Sequence, residues 1–210
     1  MPTRKILLAV VAPLLTLVGV IVGTEPSEPR CTCAEAKLGH QWCAACGVGY
    51  VAGIRIESQL LYEEIDAHGH KIDPQRIKCP SCQAALDTDG FCERCRRGFV
   101  NKQAYMSRLT YFVAKGETKE VEKIACKTCR ENAARHGWCE ACGVGMVGNV
   151  ALKVKAEFEQ AAKAYDVLQE AVRTMKRCMM CAVAMVIDGR CPTCRITYRN
   201  GEKMETPPGP

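Results

Sequence analysis

The chain has 210 residues, 16 of them cysteine, and sets 29 basic against 23 acidic side chains for a formal charge of +6. No Ser/His/Asp set, paired carboxylates or phosphate-cradling loop stands out, and every cysteine belongs to a set of four, so the composition speaks against an enzyme. No CxxC is followed by His and no C-x2-C-x2-C run occurs, which excludes c-type haem attachment and disfavours ferredoxin clusters.

Arg4 and Lys5 precede an uncharged run over residues 6–23, interrupted only by Pro13 and Thr16. Eighteen helical residues span roughly 27 Å, enough for a hydrocarbon core. The run predicts a signal anchor or transmembrane helix over 1–24, with a cleaved signal peptide as the alternative. The cleavage candidates around Val22-Gly23-Thr24 are poor. Arg4 and Lys5 should stay cytoplasmic, which places the rest of a single-pass membrane protein on the extracytoplasmic side. A Pro-rich acidic linker, Thr24 to Pro29, follows.

The cysteine sets come next: Cys31, Cys33, Cys43, Cys46; Cys79, Cys82, Cys92, Cys95; Cys126, Cys129, Cys139, Cys142; and Cys178, Cys181, Cys191, Cys194. In each, the second and third cysteines are ten positions apart. Three sets read C-x2-C-x9-C-x2-C. The first reads C-x-C-x9-C-x2-C, with Arg30 in the place of the outer cysteine. Two thiolate pairs at such spacing suit a tetrahedral four-thiolate metal site. The third cysteine recurs at 43, 92, 139 and 191, a period of roughly fifty that marks internal duplication.

The spacer carries Asp89-Gly90, His136-Gly137 or Asp188-Gly189 before the third cysteine, which predicts a β-hairpin with its turn at these glycines. Trp42, Phe91 and Trp138 precede the third cysteine and would cover the metal. Gly47 and Gly143 follow the fourth cysteine, where a left-handed residue is expected, with Arg96 and Arg195 in the same place. A further echo, Gly49-Tyr50-Val51, Gly98-Phe99-Val100 and Gly145-Met146-Val147, degrades to Thr197-Tyr198-Arg199. His40 and His136 share their position with Asp89 and Asp188, an exchange that turn chemistry explains better than ligation. His68-Gly69-His70, flanked by Asp66 and Asp73, reads as a polar loop rather than a metal site.

These paired knuckles resemble the zinc-ribbon or rubredoxin-like class of four-cysteine modules, over about 20 residues in each copy. The resemblance implies Zn at four sites, with Fe the lesser fit because the chain is only 6% aromatic. It carries no biological role of its own. Disulfides and a redox CxxC are the competing uses of the thiols.

The fold class read from the sequence is α+β: four metal-stabilised zinc-ribbon-like β-hairpin units alternating with α-helices after the N-terminal helix. The ribbons are placed at 25–51, 76–100, 123–149 and 178–199. Helical linkers fall at 52–75 and 101–122, an amphipathic helix at 150–177, and a disordered tail at 200–210. Leu60, Leu61 and Ile65 mark one face of the first linker helix, from Glu57 to Ala67. The second runs from Gln103 to Lys115, with Tyr105, Leu109, Phe112 and Val113. Short β-like runs, Arg76 to Lys78 and Lys123 to Ala125, lead into the knuckles. In the third, Ala151, Val154, Phe158, Ala161, Tyr165, Leu168, Val172 and Met175 alternate at three and four. Its stripe suits packing within the chain, or else a homo-oligomeric coiled coil. Each ribbon is expected to owe its stability mainly to metal.

A Zn held by four thiolates carries about −2, so four filled sites move +6 to roughly −2 and weaken the nucleic-acid reading. Two basic patches remain, at Arg94, Arg96, Arg97 and Lys102 and at Lys176, Arg177, Arg190, Arg195 and Arg199. The sequence therefore favours a membrane-anchored, non-enzymatic zinc-binding repeat protein that acts as an interaction scaffold for another protein. A thiol-based metal-handling or redox protein is the first alternative, and a nucleic-acid binder the second.

Overall fold

The computed structural model describes residues 30–65 and 68–204. The predicted membrane segment and most of the tail lie outside these residues, as does Asp66. Among the described residues no helix is long and apolar enough to cross a membrane. The fold is mixed α/β, and one plan recurs: a short helix, an antiparallel meander, then a closing helix.

Module 1 (residues 30–65) runs α1 (Cys33–Gly39), β1 (Trp42–Cys43), β2 (Val48–Val51), β3 (Ile54–Ile56) and α2 (Gln59–Ile65). Module 2 (68–115) runs β4 (His70–Lys71), a 3-10 turn (Pro74–Arg76), α3 (Pro80–Asp87), β5 (Phe91–Cys92), β6 (Arg97–Val100), β7 (Gln103–Tyr105) and α4 (Arg108–Lys115). Module 3 (116–174) repeats it with β8 (Glu117–Thr118), a 3-10 turn (Val121–Lys123), α5 (Lys127–Asn132), β9 (His136–Cys139), β10 (Val144–Val147), β11 (Val150–Leu152) and α6 (Lys155–Thr174). Module 4 (175–204) has α7 (Met179–Val186), β12 (Thr197–Arg199) and β13 (Glu202–Met204). The sheets are ordered β1-β2-β3, β4-β7-β6-β5, β8-β11-β10-β9 and β12-β13.

The spacer is not the predicted hairpin. In each module it begins as a helix. Cys79, Cys126 and Cys178 stand at the N-caps of α3, α5 and α7, and Pro80 occupies the first turn of α3, where its missing N–H costs nothing. The Asp-Gly pair ends the helix instead of turning a hairpin. Asp89 and Asp188 take positive φ (49° and 55°), as does His40 (54°). The next N–H reaches back into the helix: Gly90 to the Ala85 carbonyl, Gly189 to Ala184, and Gln41 to Ala36, at 2.7–2.8 Å. Tolerance of a left-handed residue serves a helix C-cap as well as a hairpin turn, and the sequence signal is the same for both.

The hairpins lie further on, and they cross the expected ribbon boundaries at 51, 100, 149 and 199, the last because Glu202–Met204 of the expected disordered tail forms a strand. Two residues join each pair of strands: Ala52-Gly53, Asn101-Lys102, Gly148-Asn149 and Asn200-Gly201. At three of these turns both residues have positive φ, and at the other Gly148 does. This conformation matches the right-handed twist of the flanking strands. Two helix starts move accordingly, and one helix face changes. Tyr105 is in β7, and α4 starts only after Ser107, whose hydroxyl accepts the Thr110 N–H. Ala151 is in β11 and Val154 is exposed, so the amphipathic stripe starts at Phe158. In α2, Leu61 and Ile65 are buried but Leu60 is exposed. The short β-like runs before the knuckles each begin at the last residue of a 3-10 turn, with Ile77 and Ile124 extended but outside any strand. His70 belongs to an edge strand rather than a loop.

Each closing helix locks its sheet by the same device. A glycine of the second strand (Gly49, Gly98, Gly145) lies under an aromatic from the closing helix (Tyr62, Tyr111, Phe158). A Cβ at those glycines would stand 2.3–2.4 Å from the ring. The ring also meets the aromatic before the third cysteine: Trp42 with Tyr62 at 5.5 Å between centroids, Phe91 with Tyr111 at 5.5 Å, and Trp138 with Phe158 at 5.6 Å. Tilted pairs at this distance are favourable beyond the area they bury.

The modules are not beads held only by metal. A continuous core joins α2, α4, α6, α7 and the sheets of modules 1 and 3, with Ile56, Leu61, Ile65, Leu109, Val147 and Leu168 among its most buried members. The stripe Phe158, Ala161, Tyr165 and Leu168 is buried here, against α4, α7 and β10. The small side chains Ala161 and Ala171 let helices approach α6 closely. Modules 1 and 3 also meet directly at their turns. The Asn149 amide donates to the Lys37 carbonyl at 3.1 Å, and a Cβ on Gly148 would stand 1.8 Å from the Ala52 oxygen.

Candidate metal centres

The structure brings all sixteen cysteines together in the four sets read from the sequence, with the Sγ atoms of each set within 4.8 Å of one another. None is joined in a disulfide. Sγ separations include 3.8 Å for Cys126 and Cys139, 3.8 Å for Cys178 and Cys191, and 3.6 Å for Cys178 and Cys194. Four sulfurs at about 2.3 Å from a central ion form a tetrahedron with edges near 3.8 Å, so the donor sets fit a tetrahedral ion. These distances are far from an S–S bond of about 2.05 Å.

Two structural elements place each set. The first pair sits at the start of the short helix. The second pair sits in the turn between the first two strands, closed by the left-handed residue after the fourth cysteine: Gly47, Arg96, Gly143 or Arg195. This turn aims main-chain N–H groups at sulfur. Cys95 N–H points to Cys92 Sγ at 3.4 Å, and Cys194 N–H to Cys191 Sγ at 3.2 Å.

The thiols titrate as a coupled cluster requires. The Cys82 amide holds Cys79 down at about 6, and the Cys129 amide holds Cys126 at about 7. Burial raises Cys191, but the Cys194 amide and its neighbours outweigh this and leave it at about 7. Neighbouring sulfurs push Cys46 and Cys194 up to about 12, while burial first and then neighbouring sulfurs raise Cys82 and Cys129. Four adjacent thiolates repel one another, and a dication is the charge that lets all four stay deprotonated.

Site 1 closes despite its shortened knuckle. Cys31 and Cys46 approach to 3.3 Å. Helix α1 begins at Cys33, whereas in modules 2 to 4 the second cysteine lies inside the helix, so the lost residue removes the first helical turn and not the ligand. Thr32 supplies the missing amide: its N–H points to Cys43 Sγ at 3.4 Å and holds that thiol at about 6.

Sequence reading missed a contact at the seventh residue past the third cysteine. Tyr50 packs beside Cys33 and Tyr198 lies close enough to Cys181 for the two groups to shift one another, while Phe99 and Met146 pack on sites 2 and 3 as apolar covers. The signal was present in the echo Gly49-Tyr50-Val51, but only the fold shows that this residue faces the sulfurs.

The histidines lie outside the donor sets. His40 Nδ1 accepts the Ala52 N–H at 3.2 Å, and its Nε2 bonds the Thr118 hydroxyl at 2.8 Å. Asp89 and Asp188 accept the N–H of Asn101 and Asn200 in the same way, so this position braces the hairpin turn. Burial pushes His40 down to about 4, which keeps it neutral. His136 instead meets Asp166 at 3.0 Å. Comparison with known proteins finds no matching family model, no matching curated protein and no matching solved structure.

Proposed function

We propose that the protein is a non-enzymatic zinc-binding repeat protein, anchored in a membrane by residues 1–24 and acting as an interaction scaffold on the extracytoplasmic face. The observation that carries the metal reading is the convergence of sixteen thiols into four sets with tetrahedral sulfur spacing. All four donors at each site are cysteine, which is the pattern of closed structural sites and not of catalytic ones that keep an open position. Zn bound there supplies charge neutralisation and a cross-link between helix and hairpin.

The outermost thiols, Cys31, Cys46, Cys95, Cys142 and Cys194, are exposed, and this supports a second reading in which the chain hands metal on. Metal analysis of the full chain, purified in detergent under reducing, zinc-replete conditions, tests the first. About four tightly held Zn per chain is the expected result, and a total below three sinks it. Thiol titration without denaturant separates the two, since sealed sites react slowly. A reporter fused at the C-terminus tests the side of the membrane.

A further inference from the structure

We propose that modules 2 and 4 form a basic half of the molecule that lies against an anionic phospholipid surface. Residues 68–115 and 175–204 together hold fifteen basic and six acidic side chains, whereas 30–65 and 116–174 hold twelve basic and thirteen acidic. All four modules share one core through α2, α4, α6 and α7, and further contacts pair modules of like charge. Modules 1 and 3 meet at their turns and through His40 and Thr118. Modules 2 and 4 meet where Arg96 donates to Asp188 at 3.0 Å. Filled metal sites add about −2 to every module and so leave the contrast intact, at roughly +5 against −5.

Module 4 shows how the surface is made. Thr197 and Arg199 share one face of β12, and their partners Arg190, Met204 and Glu202 extend it. The matching positions in modules 1 to 3 are Trp or Phe, Gly and Val, under the closing helix. In module 4 Arg190, Arg199, Glu202 and Met204 are all exposed. Hydrophilic residues of either charge would be enough to keep this face in water. Here Arg190, Arg195, Arg199 and Lys203 form no ion pair among the described residues, nor do Arg94 and Lys102 of module 2.

No Trp, Tyr or Phe side chain is exposed among the described residues, so the usual stacking platform of a single-stranded nucleic-acid site is missing there. A charged bilayer needs only distributed cations near its surface. The apolar run at 6–23, a few residues before module 1, would hold these modules beside one. The inference therefore rests on the anchoring reading.

The test uses the full chain in nanodiscs of phosphatidylcholine, with or without phosphatidylglycerol, and maps lysine acylation by mass spectrometry. Labelling of Lys102, Lys176 and Lys203 should fall roughly fivefold or more in the anionic discs and recover in high salt. Lys37 and Lys127 should not change. R190E/R199E should lose the protection at Lys176 and Lys203, and R76E/R94E the protection at Lys102. Each variant is first checked for an unchanged metal content. Equal labelling in both lipids, protection of Lys37 and Lys127 instead, or salt-sensitive binding of a labelled oligonucleotide without lipid protection would overturn the proposal. A chain that fails to enter neutral discs fails as an anchored protein. Its salt-sensitive protection on anionic vesicles would then still decide the surface.

Discussion

Modules 1 to 3 and module 4 carry the same thiolate cluster on different supports. In the first three, an aromatic from a closing helix sits on a glycine and against the ring before the third cysteine. Module 4 has Arg190 and Thr197 at those places, and no closing helix among the described residues. Its four sulfurs nonetheless converge as tightly as the others. The knuckle geometry is therefore a local property of the short helix and the turn. The aromatic lock serves a different end, which is to fasten each sheet to the common core.

Replacing the lock should separate the two roles. Phe158→Ala empties a buried site between α6 and the sheet of module 3 and should cost about 3–5 kcal/mol in denaturant unfolding. The cost should leave the metal content at four. Met204→Ala, at the exposed face of module 4, should stay within about 0.5 kcal/mol. If Phe158→Ala instead loses the metal of site 3 alone and keeps global stability, lock and cluster are one device and the comparison fails. Gly145→Ala should follow at about 1–3 kcal/mol, because its new Cβ would stand 2.3 Å from the Phe158 ring. Thr197→Ala, at the same place in module 4, should be close to neutral.

The grouping of the cysteines into four sets was legible in the sequence because one residue type recurs at a fixed spacing. The amphipathic stripe of α6 was legible from Phe158 onward by its period, whereas Ala151 and Val154 were wrongly included. The local fold around the metal was not legible. Asp89-Gly90 and Asp188-Gly189 advertise a left-handed residue, and only the hydrogen bonds of Gly90 and Gly189 show that a helix ends there. Gly49, Gly98 and Gly145 were visible as an echo, but their partners lie thirteen residues on, at Tyr62, Tyr111 and Phe158. That spacing means nothing until a strand, a turn and a second strand have been folded between them. The common core was hidden for a related reason. The closing helices α2 and α4 are short, and their apolar faces look like local amphipathicity until α6 gathers them.

The turn brace offers a pH-dependent version of the same contrast. His40 in module 1 accepts the Ala52 N–H through a neutral ring, while Asp188 performs the task in module 4 with a carboxylate. Burial lowers the folded pKa of His40 to about 4 from an unfolded value near 6.5. In that window the unfolded state binds the extra proton. Stability from this group is thus complete above about pH 6.5 and is lost as pH falls towards 4, by about 3 kcal/mol in all. His40→Asn keeps an acceptor for the Ala52 N–H without the titration. Unfolding free energies of metal-loaded protein between pH 7 and 5 should fall less steeply for the variant. Parallel slopes would show that thiolate protonation alone governs the acid limb.

The smallest effect concerns the residue after the fourth cysteine. Gly47 and Gly143 adopt φ of 60°, and Arg96 and Arg195 adopt 54° and 58° in the same turn. A non-glycine residue in this region costs roughly 1–2 kcal/mol. Arg96 recovers part of that through Asp188, whereas Arg195 is exposed and unpaired among the described residues. Arg195→Gly should therefore raise stability by up to about 1 kcal/mol once the greater freedom of glycine in the unfolded chain is subtracted. Arg96→Gly should gain less, since it gives up the ion pair that joins modules 2 and 4 among the described residues. Equal gains at both positions would mean that the Arg96–Asp188 pair contributes nothing to docking. A loss at Arg195 would mean that its cation is needed beside the site 4 thiolates, which its exposed position and lack of a carboxylate partner argue against.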